Sequence, residues 1–169
     1  HPNVGFRCTI DGRSTLHLPK VDTIEDRLYD VLGGQSSSLL PLQQPDDDAS
    51  VPGDETWSGY ISTPDISRGK GDEVHILVNG RPVASTPFHQ AIRRGYRTRL
   101  MQGRHPVTVL HLEVPANEVD VNVHPTKREV RLRHSWRVLE RLERAIAHTL
   151  ASSPTQPDPS GELQGLEGL

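Results

Sequence analysis

At residues 79–80 the chain reads Asn-Gly, set between the runs 74–78 and 81–84, and few dipeptides restrict a fold so tightly. A two-residue connection between strands needs positive φ at both central positions, which Asn and Gly tolerate and branched residues do not. The two runs are thereby committed to an antiparallel hairpin. A lone hairpin is marginal in water, so further strands or a helix must cover its apolar side.

Those further elements are legible from periodicity. Residues 4–10 and 14–18 alternate around Asp11-Gly12 and predict an opening hairpin. Thr23 is placed to cap a short helix through Val31, with Ile24, Leu28 and Val31 on its core face and Gly33-Gly34 as its stop. Residues 57–62 predict a strand and 64–72 a polar loop. A helix over about 87–101 follows, with Phe88, Ala91, Ile92, Gly95 and Tyr96 at core spacing and Gly103 at its end. Residues 107–114, 119–123 and 129–133 predict strands, after which Ser135 caps a helix to about residue 150 that buries Leu139, Leu142, Ile146 and Leu150. Strands and helices of this kind around one sheet predict an α+β class, an α/β sandwich with a mixed sheet and helices mainly on one face.

Two stretches interrupt the pattern. Residues 35–56 are rich in Ser, Pro and Asp, including three consecutive aspartates at 46–48, and predict a flexible insertion with too little apolar area to order itself. Beyond residue 151 the chain has neither periodicity nor a hydrophobic cluster and predicts a disordered linker over 152–169. The length then suits one domain, residues 1–151. A start at His1 with no apolar leader reads as a piece of a longer polypeptide.

Charge and composition narrow the chemistry. Residues 81–150 hold 13 Lys and Arg against 6 Asp and Glu, whereas residues 1–80 hold 6 against 13, so the net charge of −3 hides a basic half suited to meeting phosphate or nucleic acid. A single cysteine, Cys8, excludes a disulfide framework and a thiolate zinc site, and the nine histidines lack paired-ligand spacing, so no metal site is expected. No run of about 18 apolar residues is present to span a bilayer, and a reducing, cytoplasmic location is expected.

Three strings stand out together: L-V-N-G-R at 77–81, then Ala91-Ile92 with Tyr96 and G-R-x-P at 103–106, then V-D-V-N-V-H-P-T-K-R-E-V-R-L at 119–132. In order and spacing they resemble the MutL family of DNA mismatch repair proteins, over residues 3–150. The resemblance implies a split ATPase of the GHKL type, in which an N-terminal domain binds ATP and Mg²⁺ and is followed by a transducer domain of ribosomal-protein-like βαβ fold, the part this chain looks like. It also implies a homodimeric parent, a mismatch-recognition partner of MutS type, DNA as a further partner, and a C-terminal domain beyond the linker. No Walker A string or G-x-S-x-G nucleophile is present, so no catalysis is expected of these residues alone. By resemblance Lys127 touches the γ-phosphate of ATP, with Asn122 and His124 supporting the turn that carries it.

Read without the family, Lys127 stands between two strands, where a fixed ammonium could reach an anion supplied by another domain. The bland reading is a solvated lysine, and for Asn122 and His124 it is the satisfaction of turn amides. Arg81, Arg93, Arg94, Arg97 and Arg104 are candidates for DNA phosphate contacts, or else an ordinary solvated face. An autonomous nucleic-acid-binding module would use the same arginines with no allosteric duty. The transducer of a type II topoisomerase shares the fold, but N-V-H-P-x-K argues against it.

Overall fold

The structure, a computed structural model, describes residues 1–44, 55–120 and 130–153. The predicted opening hairpin is present as β1 (Phe6–Ile10) and β2 (Arg13–Leu18), an antiparallel pair that stands apart from the main sheet and is exposed along most of its length. Asp11 and Gly12 both take positive φ at its turn. Helix α1 (Ile24–Leu32) is capped by the Thr23 hydroxyl, which accepts from the Asp26 amide as expected. Its inner face differs from expectation: Leu28 is buried, but Val31 is exposed and Arg27 takes a buried position. The reason is polar. Arg27 Nη2 donates to the carbonyls of Pro2, Val4 and Pro19 at 2.9, 2.7 and 2.8 Å, tying the chain entry and the end of β2 to α1.

Where composition predicts a loop over 35–56, residues Gly33–Ser38 form a 3₁₀ turn and Leu39–Pro41 form an edge strand, β3. The latter pairs antiparallel with β4 (Thr56–Ser62), and beyond it the Leu42 amide donates to the Gly59 carbonyl. Residues 45–54 lie outside the described residues. Glu55, also read as loop, is buried. Its Oε1 lies 3.3 Å from Arg137 Nε and 3.1 Å from Arg141 Nη1, both on the last helix.

The chain continues through β5 (Ser67–Arg68), β6 (Val74–Val78) and β7 (Arg81–Val83) into α2 (Thr86–Tyr96). It then passes β8 (His105–Pro106), β9 (Thr108–Glu113), β10 (Val119–Asp120) and β11 (Arg131–Leu132) to reach α3 (Ser135–Ser152). Asn79 and Gly80 have φ of 49° and 77°, so the expected hairpin turn is present. The main sheet has the order β3-β4-β9-β6-β7, in which β9 is parallel to β6 and the other neighbours are antiparallel. β5 and β8 form a small ladder beside it, as do β10 and β11.

One face of this sheet presents Trp57, Ile61, Ile76, Val78, Leu110 and Leu112 to α2 and α3. Trp57 meets Phe88 edge-on, with ring centroids 5.8 Å apart at 84°, and its indole N–H donates to the Val138 carbonyl. The two helices pack so closely at Gly95 that a Cβ there would come within 2.7 Å of Ile146 Cβ. Tyr96 is fully buried, its hydroxyl donating to the Ser62 carbonyl at 2.6 Å, and burial raises its phenol above the ordinary range. The molecule is thus an α+β sandwich with its core between a mixed sheet and two helices. Beside the other face, Ile24 and Tyr60 line a groove of about 500 Å³, and the Tyr60 hydroxyl donates to Glu25 of α1. Burial and that carboxylate push the Tyr60 pKa up to about 12.

Two helix ends fall elsewhere than expected. α2 stops at Tyr96, not near 101, because Arg97 turns to φ 53° and its amide bonds back to the Arg93 and Arg94 carbonyls. α3 is capped at His134 without a side-chain bond, and Ser135 is its first helical residue. The His134 ring is turned to Glu118 instead.

Candidate functional site

Two regions carry the candidate residues. The first is the β10–β11 ladder, where Val119 pairs with Leu132 and Asp120 with Arg131. Its base is fastened outside the strands: the Arg133 amide donates to the Glu118 carbonyl at 3.0 Å, and His134 Nδ1 lies 2.7 Å from Glu118 Oε2. The hydrogen bond from His134 holds the Glu118 carboxyl below its usual range, with His134, Arg137 and Arg133 adding charge attraction. Against β11 opens a cleft of about 410 Å³, lined by Ser85, Pro87 and Phe88 at the start of α2, by Val130–Leu132, and by Ser135 and Leu139 of α3. Asn122, His124 and Lys127 lie outside the described residues.

The second region is basic. Arg93 Nη1 donates to the Arg104 carbonyl at 3.0 Å, while Arg104 Nε and Nη2 donate to the hydroxyl and carbonyl of Ser67 at 3.1 and 2.6 Å. All three acceptors are neutral, so both guanidinium charges remain uncompensated by these bonds. Arg97 follows one turn beyond Arg93, exposed and with no partner among the described residues. Arg93, Arg97 and Arg104 therefore share one end of α2. Arg94 does not join them; it turns to α3 and pairs with Glu143 at 2.8 Å. Arg81 begins β7, exposed and without a hydrogen-bond or ion-pair partner among the described residues.

Sequence reasoning passed over three groups beside this stripe. His89 lies on the same side of α2 as Arg93, one turn before it. His105 on β8 and Lys70 between two glycines complete the set. The helical spacing was available in the sequence, but the approach of β8 and residues 69–71 was not. Among the described residues no three carboxylate, thiol or imidazole groups converge as metal ligands. No helix in those residues is long and apolar enough to cross a membrane.

Residues 30–151 match the family described as DNA mismatch repair protein, C-terminal domain. The chain is 37% identical over 164 residues to a DNA mismatch repair protein MutL of Pelobacter propionicus, which covers 96% of this chain and 26% of that protein. It is likewise 37% identical over 160 residues to the MutL of Geotalea daltonii, and 31% over 159 residues to that of Streptococcus uberis, with 92% and 94% of this chain covered. The chain thus spans about a quarter of the length of the curated relatives it matches. A crystal structure of the N-terminal domain of a DNA repair protein superposes with a TM-score of 0.66 at 21% identity, covering 89% of this chain and 49% of the other, a likeness of fold.

Proposed function

This chain belongs to the MutL family of DNA mismatch repair proteins, and from that membership we propose that it is the transducer module which senses the γ-phosphate of ATP through Lys127 and couples nucleotide state to dimer closure and DNA binding. One observation supports this reading above the others: the string D-V-N-V-H-P-T-K-R-E-V-R at 120–131, which contains Lys127, lies wholly inside the family match. ATP and its Mg²⁺ would be held by a GHKL domain of the same parent chain, with a second copy of that parent and a MutS-type protein as further partners and the cytoplasm as the setting.

The described residues suit a contributor to a nucleotide site better than a complete one. The cleft beside β11 is mostly apolar and has a single cation, Arg131, on its rim. Bound in the neighbouring domain, ATP would supply a terminal phosphate whose presence or loss a nearby cation can register. Two unit charges about 4 Å apart attract by roughly 4 kcal/mol at an effective dielectric near 20, before desolvation. Inverting a 1:99 equilibrium takes about 5.5 kcal/mol. Lys127 alone falls short, and ordering of the nucleotide lid together with self-association of the parent supplies the remainder.

The test uses the parent protein with its ATP-binding domain. Lys127→Ala is expected to reduce ATP turnover and ATP-driven closure while leaving the far-UV spectrum and melting temperature unchanged. Turnover and closure equal to those of the unaltered protein would refute the sensing role.

A further inference from the structure

The basic end of α2 is built around two imidazoles. Gly71 has no side chain, and a Cβ placed on it would lie 3.2 Å from His105 Nδ1 and 3.5 Å from His89 Nδ1, so both ring nitrogens converge on the same small space. Lys70, next to Gly71 in the chain, is exposed and without a partner among the described residues. Gly69 follows, and a Cβ there would lie 3.9 Å from Arg104 Nη1, the guanidinium nitrogen that makes no hydrogen bond to Ser67. Arg93 on α2 donates to the Arg104 carbonyl, and Arg97 stands just past the end of the helix.

The opposing charges are few. Asp72 is exposed next to Gly71, and Glu73 is engaged by Arg68 of β5 at 3.1 Å. Glu143 of α3 is engaged by Arg94 on the other flank of α2. Among the described residues, Arg93 and Arg104 and the neighbouring Lys70 are therefore the cations beside two titratable rings, with Arg97 just past the end of α2 and Asp72 the carboxylate next to Gly71 that no described partner engages.

We propose that Lys70, Arg97 and Arg104 with the His89–His105 pair form a track for the phosphodiester backbone of DNA, on which binding takes up protons at the two imidazoles. This rests on the DNA-binding reading given above and adds the residues and their linkage to pH. Burial first, and repulsion from His105 second, hold the His89 pKa below the ordinary imidazole value, so the ring is neutral at physiological pH. A phosphate seated over Gly71 counters both penalties by attracting the charged form of His89. A ligand that raises a pKa binds more tightly as pH falls, by the number of protons taken up. The fixed cations account for binding at neutral pH, which is salt-sensitive and independent of sequence.

The experiment measures fluorescence anisotropy of the 169-residue chain with a labelled 20-base-pair duplex, at constant ionic strength and pH 7.5, 6.5 and 5.5. Affinity is expected to rise about tenfold across this range, the scale of one to two partly linked protons. His89→Gln/His105→Gln should lose most of that rise, binding at pH 5.5 little more tightly than it does itself at pH 7.5. Lys70→Ala/Arg97→Ala should weaken binding several-fold at every pH and flatten the salt dependence. Thermal melts confirm that each variant is folded. An equal rise in the double-histidine variant would overturn the proton linkage and assign it to other histidines. No loss in the Lys70/Arg97 variant would overturn the track while leaving DNA binding elsewhere on the chain, whereas no binding at any pH would overturn the DNA reading itself and the track with it.

Discussion

Asn79 makes two hydrogen bonds to the main chain of Val114: its Nδ2 donates to the Val114 carbonyl at 3.0 Å and its Oδ1 accepts from the Val114 amide at 2.9 Å. With the Asn79 amide donating to the Leu112 carbonyl, the side chain extends the β6–β9 ladder by one step. The residue that permits the turn therefore also fastens it to the central strand. Asn79→Ala should cost about 2–3 kcal/mol, from unmet polar groups and a left-handed backbone that alanine resists. Asn79→Asp keeps the acceptor and should cost less. Urea denaturation midpoints for the two variants check the order.

Gly95 is the contact point of α2 and α3, where a methyl group would meet Ile146 at well under van der Waals distance. Overpacking there should cost about 1–3 kcal/mol, outweighing the roughly 1 kcal/mol by which alanine favours a helix over glycine. Gly95→Ala should therefore melt at a lower temperature. Combining it with Ile146→Ala should recover part of the loss, and additive effects of the two changes would show that they do not meet.

Glu55 is the acidic partner of Arg137 and Arg141, its side chain 2% exposed against their 22% and 11%. Glu55→Gln removes the buried charge that both Arg137 and Arg141 approach at the start of β4, and a loss of about 3 kcal/mol is expected. Added salt should recover little of it, since the site is closed to solvent. A denaturant midpoint within error of the unaltered protein would remove the clamp from the account of the fold.

The Glu118–His134 contact adds a pH dependence. Because the folded carboxyl titrates below its ordinary value of 4.5, its contribution is present above that value and is lost as pH falls through the lower folded one. His134 is half-exposed and Glu118 partly so, which keeps the effect small and salt-sensitive. Thermal melts between pH 6 and 3 should show Glu118→Gln losing less stability on acidification than the unaltered chain.

Local signals carried much of the architecture. Asn79-Gly80 announced its hairpin through allowed φ angles, and Phe88, Ala91, Ile92, Gly95 and Tyr96, all expected at the core, are all buried. What escaped depends on partners distant in sequence. β3 is an edge strand because β4 offers it a ladder, and nothing within residues 39–41 states that. Arg27 and Glu55 are buried by carbonyls and guanidinium groups up to 86 residues away. The end of α2 was missed because Arg97 adopts positive φ without being Gly or Asn. At the site, the row on α2 could be read by spacing. Its closure by His105 and Lys70 depends on the β5–β8 ladder.

Residues 43 and 44 on one side and residue 55 on the other are fastened by bonds made at those residues themselves. On one side the Gln43 amide donates to Thr149 Oγ1 of α3 and Gln44 Nε2 to the Trp57 carbonyl; on the other Glu55 is gripped by α3. β3 and the start of β4 are therefore both fastened to the same helix, so a substitution that loosens α3 should release the two together.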